Sequence, residues 1–244
     1  MAEKLSVLRE TDEVALKLAR CLVRAARTVS LGVLEPETGF PAVSRALVAT
    51  DFDCVPIILV SQLSSHTKSL LSDQRCSLLA GEPGKGDPLA HPRITVMCRA
   101  EAVARDSDHH HLLRTRFLHR HPKAALYIDF PDFLFFRLVP QKASLNGGFG
   151  RAYAIEGKSL FLDPPEDVAG WLALQENIIM QHSDLSRLAA AAGAREKAKY
   201  RLSGVDPAGF DLIGGTNGVR YEFSSLCRTP KKAAEEIGII LKAV

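Results

Sequence analysis

Tryptophan occurs once in this 244-residue chain, at Trp171, and methionine only three times. No apolar run approaches the roughly 18–20 residues that a membrane-spanning helix needs. Charge of one sign is also scarce. The 31 Lys and Arg against 28 Asp and Glu leave a net charge of +3, which gives no reason to expect a dedicated nucleic-acid or membrane binder, since those show a concentrated basic patch. The five cysteines, Cys21, Cys54, Cys76, Cys98 and Cys227, are odd in number and widely spaced. Without a CxxC pair or a Cys/His box they form neither a disulfide framework nor a zinc site. Buried, reduced thiols in a cytoplasmic protein are expected instead. The polar stretch Met1–Asp12 has no apolar core of the kind a signal peptide carries.

The remainder is an ordinary globular composition, 46% hydrophobic and 24% charged, with enough length to bury a sizeable core. Glu13–Ala26 has the spacing of an amphipathic helix, with Val14, Leu18, Cys21, Leu22 and Ala25 in a stripe and Arg20 and Arg24 beside it. Strand texture follows at Thr28–Leu34, Ala42–Thr50 and Val55–Ser61, joined by turn-rich segments that favour antiparallel pairing. A short helix at Ser64–Ser72, strands at Arg75–Ala80 and Arg93–Val103, a helix at Asp106–His119 and a strand opened by the aromatic Phe133–Leu138 run and leading to Asn146 come next. Six strands without βαβ alternation predict a small closed barrel. Past Gly157 the pattern changes to a long helical stretch, Pro164–Ala192, then strands at Lys199–Val205, Phe210–Gly214 and Val219–Ser224, and a helix at Pro230–Ala243. The expected organisation is a barrel domain over 1–157 and a small α/β domain over 165–244.

Ser61-Gln62-Leu63-Ser64-Ser65-His66-Thr67-Lys68 leaves a strand and enters a helix, which puts His66 and Lys68 in the first helical turn. Cations are disfavoured there by the helix dipole unless an anion sits at the free N–H groups. The residues alone leave two readings open, a phosphate cradle or a solvated, serine-capped helix start. Arg45 is the only charge between Pro41 and Asp51, in a strand that is apolar on both faces. A guanidinium so placed needs a partner. A phosphate is one; Asp51, Asp53 or Asp73 is the other. The glycine-rich Gly81–Pro92 loop lacks the spacing of a phosphate loop. His109-His110-His111 point in different directions on a helix, so a solvated face is expected rather than a metal site. His182 reads as structural, and Trp171 as a core or interface anchor.

Three segments taken together resemble the FMN-binding split-barrel proteins of the pyridoxamine-phosphate-oxidase-like superfamily: Val43-Ser44-Arg45-Ala46, Leu59–Lys68 and Asp73–Leu79. His121–Ala124, Asp132-Phe133 and Asn146–Ala152 are similar to the heme-utilisation, HugZ-like branch, and Met180–Asp184 to its small C-terminal domain. The resemblance implies a six-stranded antiparallel split β-barrel with flanking helices and an α+β class. It implies FMN held by Arg45, Ser61, Ser64, Ser65, His66, Thr67 and Lys68, with Arg151 as a further cofactor contact. It also implies a homodimer, with the aromatic Phe130–Phe136 region as its apolar surface. An FMN-dependent oxidoreductase on an unassigned substrate is the first functional expectation. Heme binding or degradation is the alternative, and a binding module that has lost its cofactor is the third. The Arg- and Trp-rich substrate segment of true pyridoxamine-phosphate oxidases is absent. The last histidine, His182, stands far from the C-terminal position where the branch carries its heme ligand.

Overall fold

The computed structural model describes residues 8–148, 150–194, 197–215 and 217–243. Strands β1 (Thr28–Leu34), β2 (Pro41–Thr50), β3 (Pro56–Ser61), β4 (Arg75–Ala80), β5 (Arg93–Ala102) and β6 (Phe133–Asn146) form one antiparallel sheet. It closes where β3 meets β6, Ile57 facing Arg137 through Ser61 facing Phe133. The six-stranded barrel expected from the sequence is therefore present. A seventh strand, β7 (Ala152–Glu156), pairs antiparallel with the end of β6 and was not foreseen. The strand that opens on the aromatic run reaches Asn146 as expected, and β6 pairs with β5 along most of its length.

Inward side chains fill the barrel in the alternation a half-buried strand dictates. Leu31, Val48, Leu78, Val96, Phe136 and Leu145 are among them. Helix α1 (Glu13–Ala25), capped by Asp12 on the Ala15 amide at 2.8 Å, packs against this core through Ala15, Ala19 and Val23. Its buried face is rotated from the predicted stripe, and Val14 is exposed; the small alanines let the helix approach the strands closely. Helix α2 (Ser65–Ser72) sends Leu70 into the same core. Helix α3 (Asp108–Arg120) covers the outer face of β2, β3 and β6, where Leu113 and Phe117 meet Ala49, Ile57, Leu59 and Phe135.

The predicted helix over Pro164–Ala192 is two helices, α4 (Val168–Gln181) and α5 (Ser186–Ala191). Asp167 caps the first on the Gly170 amide at 2.8 Å, and the Asp184 carboxylate takes the Ser186 amide at 2.9 Å and interrupts the run. Strands β8 (Arg201–Asp206), β9 (Gly209–Gly214) and β10 (Asn217–Glu222) form a second antiparallel sheet, followed by α6 (Pro230–Ala243). Trp171, Phe210, Leu212, Cys227 and Ile237 form its apolar core. Among the described residues no helix is long and apolar enough to cross a membrane.

Candidate functional site

Strand β2 pairs with β3 only at Val48–Thr50 opposite Pro56–Ile58. Beyond that the two part, and β3 turns to β6. Arg45 and Ser61 each stand three positions past the Val48–Ile58 pair, so both border the opening. α2 begins at the same place. Ser64 takes the N-cap backbone conformation without a side-chain cap bond. The amides of Thr67 and Lys68 bond the Ser64 carbonyl, while those of Ser65 and His66 have no acceptor among the described residues.

The seven clustered candidates divide by what their polar groups already do. Ser61 donates its hydroxyl to Asp132 at 2.5 Å and accepts the Leu63 amide at 3.1 Å. Thr67 is buried and donates to the Ser61 carbonyl at 2.7 Å. Both shape the loop. Arg45, Ser65 and Lys68 are exposed, and Ser64 is half-buried. Burial lowers the His66 pKa and keeps the imidazole neutral; its Nε2 is shielded and unpartnered, as is the Ser44 hydroxyl on β2.

Arg45 is not buried between two apolar faces. α3 reaches only the far half of β2, so Val43 and Arg45 face outward uncovered. None of the three candidate acids pairs with Arg45. Arg137 clasps both Asp51 and Asp53, the latter at 2.6 Å, and Arg75 holds Asp73 at 2.6 Å. Among the described residues neither Arg45 nor Lys68 has a carboxylate partner. Arg151 lies elsewhere, exposed in the Gly147–Arg151 turn at the opposite end of β6 from Phe133 and Ser61. Within one chain it does not join the cluster.

Two features escaped the sequence reading. Asp132 was noted without a role, yet its carboxylate and its carbonyl, which takes the Gln62 amide at 2.7 Å, tie the α2 loop to the segment before β6. Leu63 and Phe130 are 81% and 53% exposed on either side of that tie. An apolar residue amid Ser and Gln was the available signal. The wider aromatic run is not a free surface: Phe135 lies under α3 and Phe136 inside the barrel.

The histidine run is not a solvated face either. His109 Nε2 bonds Asp51 at 2.7 Å, and His110 is buried against Phe135 with ring centres 5.2 Å apart. His182 ends α4 and is half-buried. Among the described residues no group of His, Cys, Asp and Glu is arranged to hold a metal ion.

Over 120 residues the chain is 33% identical to the chloroplastic non-canonical heme oxygenase HOZ of Arabidopsis thaliana, a stretch that is 49% of this chain and 36% of that protein. The chain thus spans about a third of the length of this relative. The crystal structure of protein Atu2129 from Agrobacterium tumefaciens str. C58 matches over 100% of both chains, with a TM-score of 0.82 and 27% identity. A heme binding protein from Mycobacterium smegmatis shares the fold at a TM-score of 0.56 and 23% identity, over 97% of this chain and 98% of that one. The family described as "CREG, beta-barrel" matches residues 10–162, from α1 through β7. Taken with the closed barrel, this match makes the chain a member of the CREG β-barrel family, within the split-barrel superfamily that its sequence motifs resemble.

Proposed function

We propose that the protein binds heme at the opening between β2 and β3, with the propionates held by Arg45, Lys68 and the free amides at the start of α2. The observation that carries this reading is the pair of cations left without carboxylate partners beside unused backbone donors. An unpaired Arg and Lys around a helix N-terminus form a carboxylate or phosphate site. Exposed Leu63 and Phe130 at its edge offer apolar surface to a macrocycle. The likeness to a heme oxygenase favours a tetrapyrrole. Iron in bound heme supplies redox and oxygen chemistry; the chain supplies position and charge. The residues fit the anionic groups of heme better than its iron. His66 is neutral, but its Nε2 is shielded, so ligation by it needs the α2 start to move. A spectrum without strong histidine ligation is expected.

FMN is the second reading. It is favoured by the unfilled cap of α2, since free amides at a helix start are the arrangement a phosphate uses. Titration with hemin and, separately, with FMN distinguishes the two. Arg45→Ala and Lys68→Ala should each weaken the true ligand about ten- to a hundred-fold. Wild-type affinity for both ligands in both variants overturns the site.

The uncovered side of the barrel is assigned to a second copy of the chain. Leu34, Pro41, Met97, Arg99 and Gln141 line a groove of about 640 Å³ there, and Val43 and Leu79 are exposed on the same face. An obligate interface buries roughly 2,000 Å² or more. Light scattering at low micromolar concentration tests it, and a stable monomer contradicts it.

A further inference from the structure

The sheet β8–β10 is covered on both sides, and the two sides differ in chemistry. Phe210, Leu212, Val219 and Tyr221 face the apolar core under α4–α6. The alternate residues Asp211, Arg220 and Glu222 face α1 and α3 of the barrel, as period-two alternation requires. Arg220 grips Asp206 with two nitrogens at 2.7 and 2.8 Å and reaches Asp211 at 3.2 Å. Glu222 accepts Arg24 at 2.9 Å and Arg20 at 3.4 Å. Arg120 donates at 2.7 Å to the carbonyls of Arg24 and Ala26, closing the end of α1, and meets Ser203 at 3.3 Å. Arg116 joins the Thr50 carbonyl of β2 to the Val205 carbonyl of β8, at 2.8 and 3.0 Å.

Arg24, Arg116, Arg120, Arg220, Asp206 and Asp211 are all buried. Burial alone would raise the Asp206 carboxyl, but Arg220 outweighs it and holds it at about 2; burial lowers Arg120 only to about 10, so it stays charged. Phe52, in the β2–β3 turn, packs into the C-terminal core and carries Arg116 4.1 Å above its ring. Backbone approach is close as well: a methyl group on Gly218 would stand 2.4 Å from the Ala25 carbonyl oxygen.

We propose that the barrel and the C-terminal sheet unfold as a single cooperative body, joined by this lattice of buried charge around the Phe52 plug. A small displacement strands buried ions before water can reach them, and a stranded buried ion is strongly destabilising. The contact therefore opens completely or not at all. Apolar contacts tolerate sliding, whereas paired guanidinium and carboxylate groups fix one register. The C-terminal sheet thus acts as the clamp that seats α1 and α3 on the barrel.

Native cysteines provide the test in the full chain. Cys98 lies in the barrel core and Cys227 in the C-terminal core, both buried. Brief alkylation across a urea series, read peptide by peptide by mass spectrometry, should give one shared midpoint for the two thiols. In Glu222→Gln both midpoints should fall together, by about 1 M urea. Labelling of Cys227 while Cys98 stays protected, or the reverse, overturns the proposal, as does a fall in one midpoint alone. The wild-type measurement decides even if the variant does not fold. It involves no cofactor, so it stands apart from the heme reading.

Discussion

Asp132 accepts the Ser61 hydroxyl at 2.5 Å, and so holds the end of β3 against the chain that enters β6. The same hydroxyl anchors the Leu63 amide at 3.1 Å. Ser61→Ala breaks both bonds and leaves a half-buried carboxylate without its donor. A loss of roughly 1–3 kcal/mol in urea denaturation is expected, together with weaker ligand binding at the α2 start. Unchanged stability and affinity would show that this tie does not shape the loop.

Arg45 and Arg137 should behave oppositely when truncated. Arg45 is exposed and unpaired, so Arg45→Ala should alter stability by no more than about 0.5 kcal/mol. Its effect belongs to ligand affinity alone. Arg137 is 17% exposed and holds two carboxylates that are 6% exposed. Arg137→Met should cost about 3 kcal/mol, because the nearly buried Asp53 loses its guanidinium and Asp51 keeps only His109 as a side-chain partner. Thermal or urea melts of the two variants side by side test the contrast.

Acid should weaken the fold before carboxylates begin to protonate. His121 donates from Nε2 to the Val48 carbonyl at 2.8 Å, and burial pushes its pKa down from 6.5 to about 4. Between those values the unfolded chain takes up a proton that the folded chain refuses. Stability therefore falls as pH drops from about 6.5 towards 4, by roughly 3 kcal/mol at most. His119, also lowered by burial, acts in the same direction. Asp206, held near 2 in the fold, loses its contribution only below its unfolded value near 4. Urea midpoints at pH 7 and pH 4.5 measure the effect, and equal midpoints would refute it.

Phe117 is fully buried and packs edge-on against Phe135, ring centres 5.5 Å apart, and beside His121 at 4.8 Å. Phe117→Ala should cost about 3–5 kcal/mol through lost burial and the cavity left behind. It should also raise the His121 pKa toward 6.5 as water enters, which proton NMR of the imidazole would register.

Local signals made much of the barrel legible. Thr28–Leu34, Arg75–Ala80 and Pro230–Ala243 match their observed elements because turn residues or a proline punctuate them. β7 was missed because only its neighbour β6 makes Ala152–Glu156 a strand. At the site, the helix start and the place of Lys68 in its first turn were readable from the Ser-Ser-His-Thr-Lys run. The surroundings of Arg45 were not, because which half of β2 is covered depends on where α3 comes to rest. Arg24 posed the same difficulty: it read as the flank of a helical stripe, but its partner Glu222 stands 198 residues away. Period and composition carry no information about such a pairing.

Closure of the barrel has a kinetic side. Ile57 meets Arg137 only after some eighty intervening residues have been placed. Contacts so distant in sequence make for slow folding, since loop entropy is lost before they form. Until they form, β3 with its Ile-Ile-Leu-Val run and β6 with its phenylalanines are unpaired edges. Such edges on a nascent chain can pair with another molecule. Yield on refolding should therefore fall steeply with protein concentration, and dilute, cool conditions favour the closed ring.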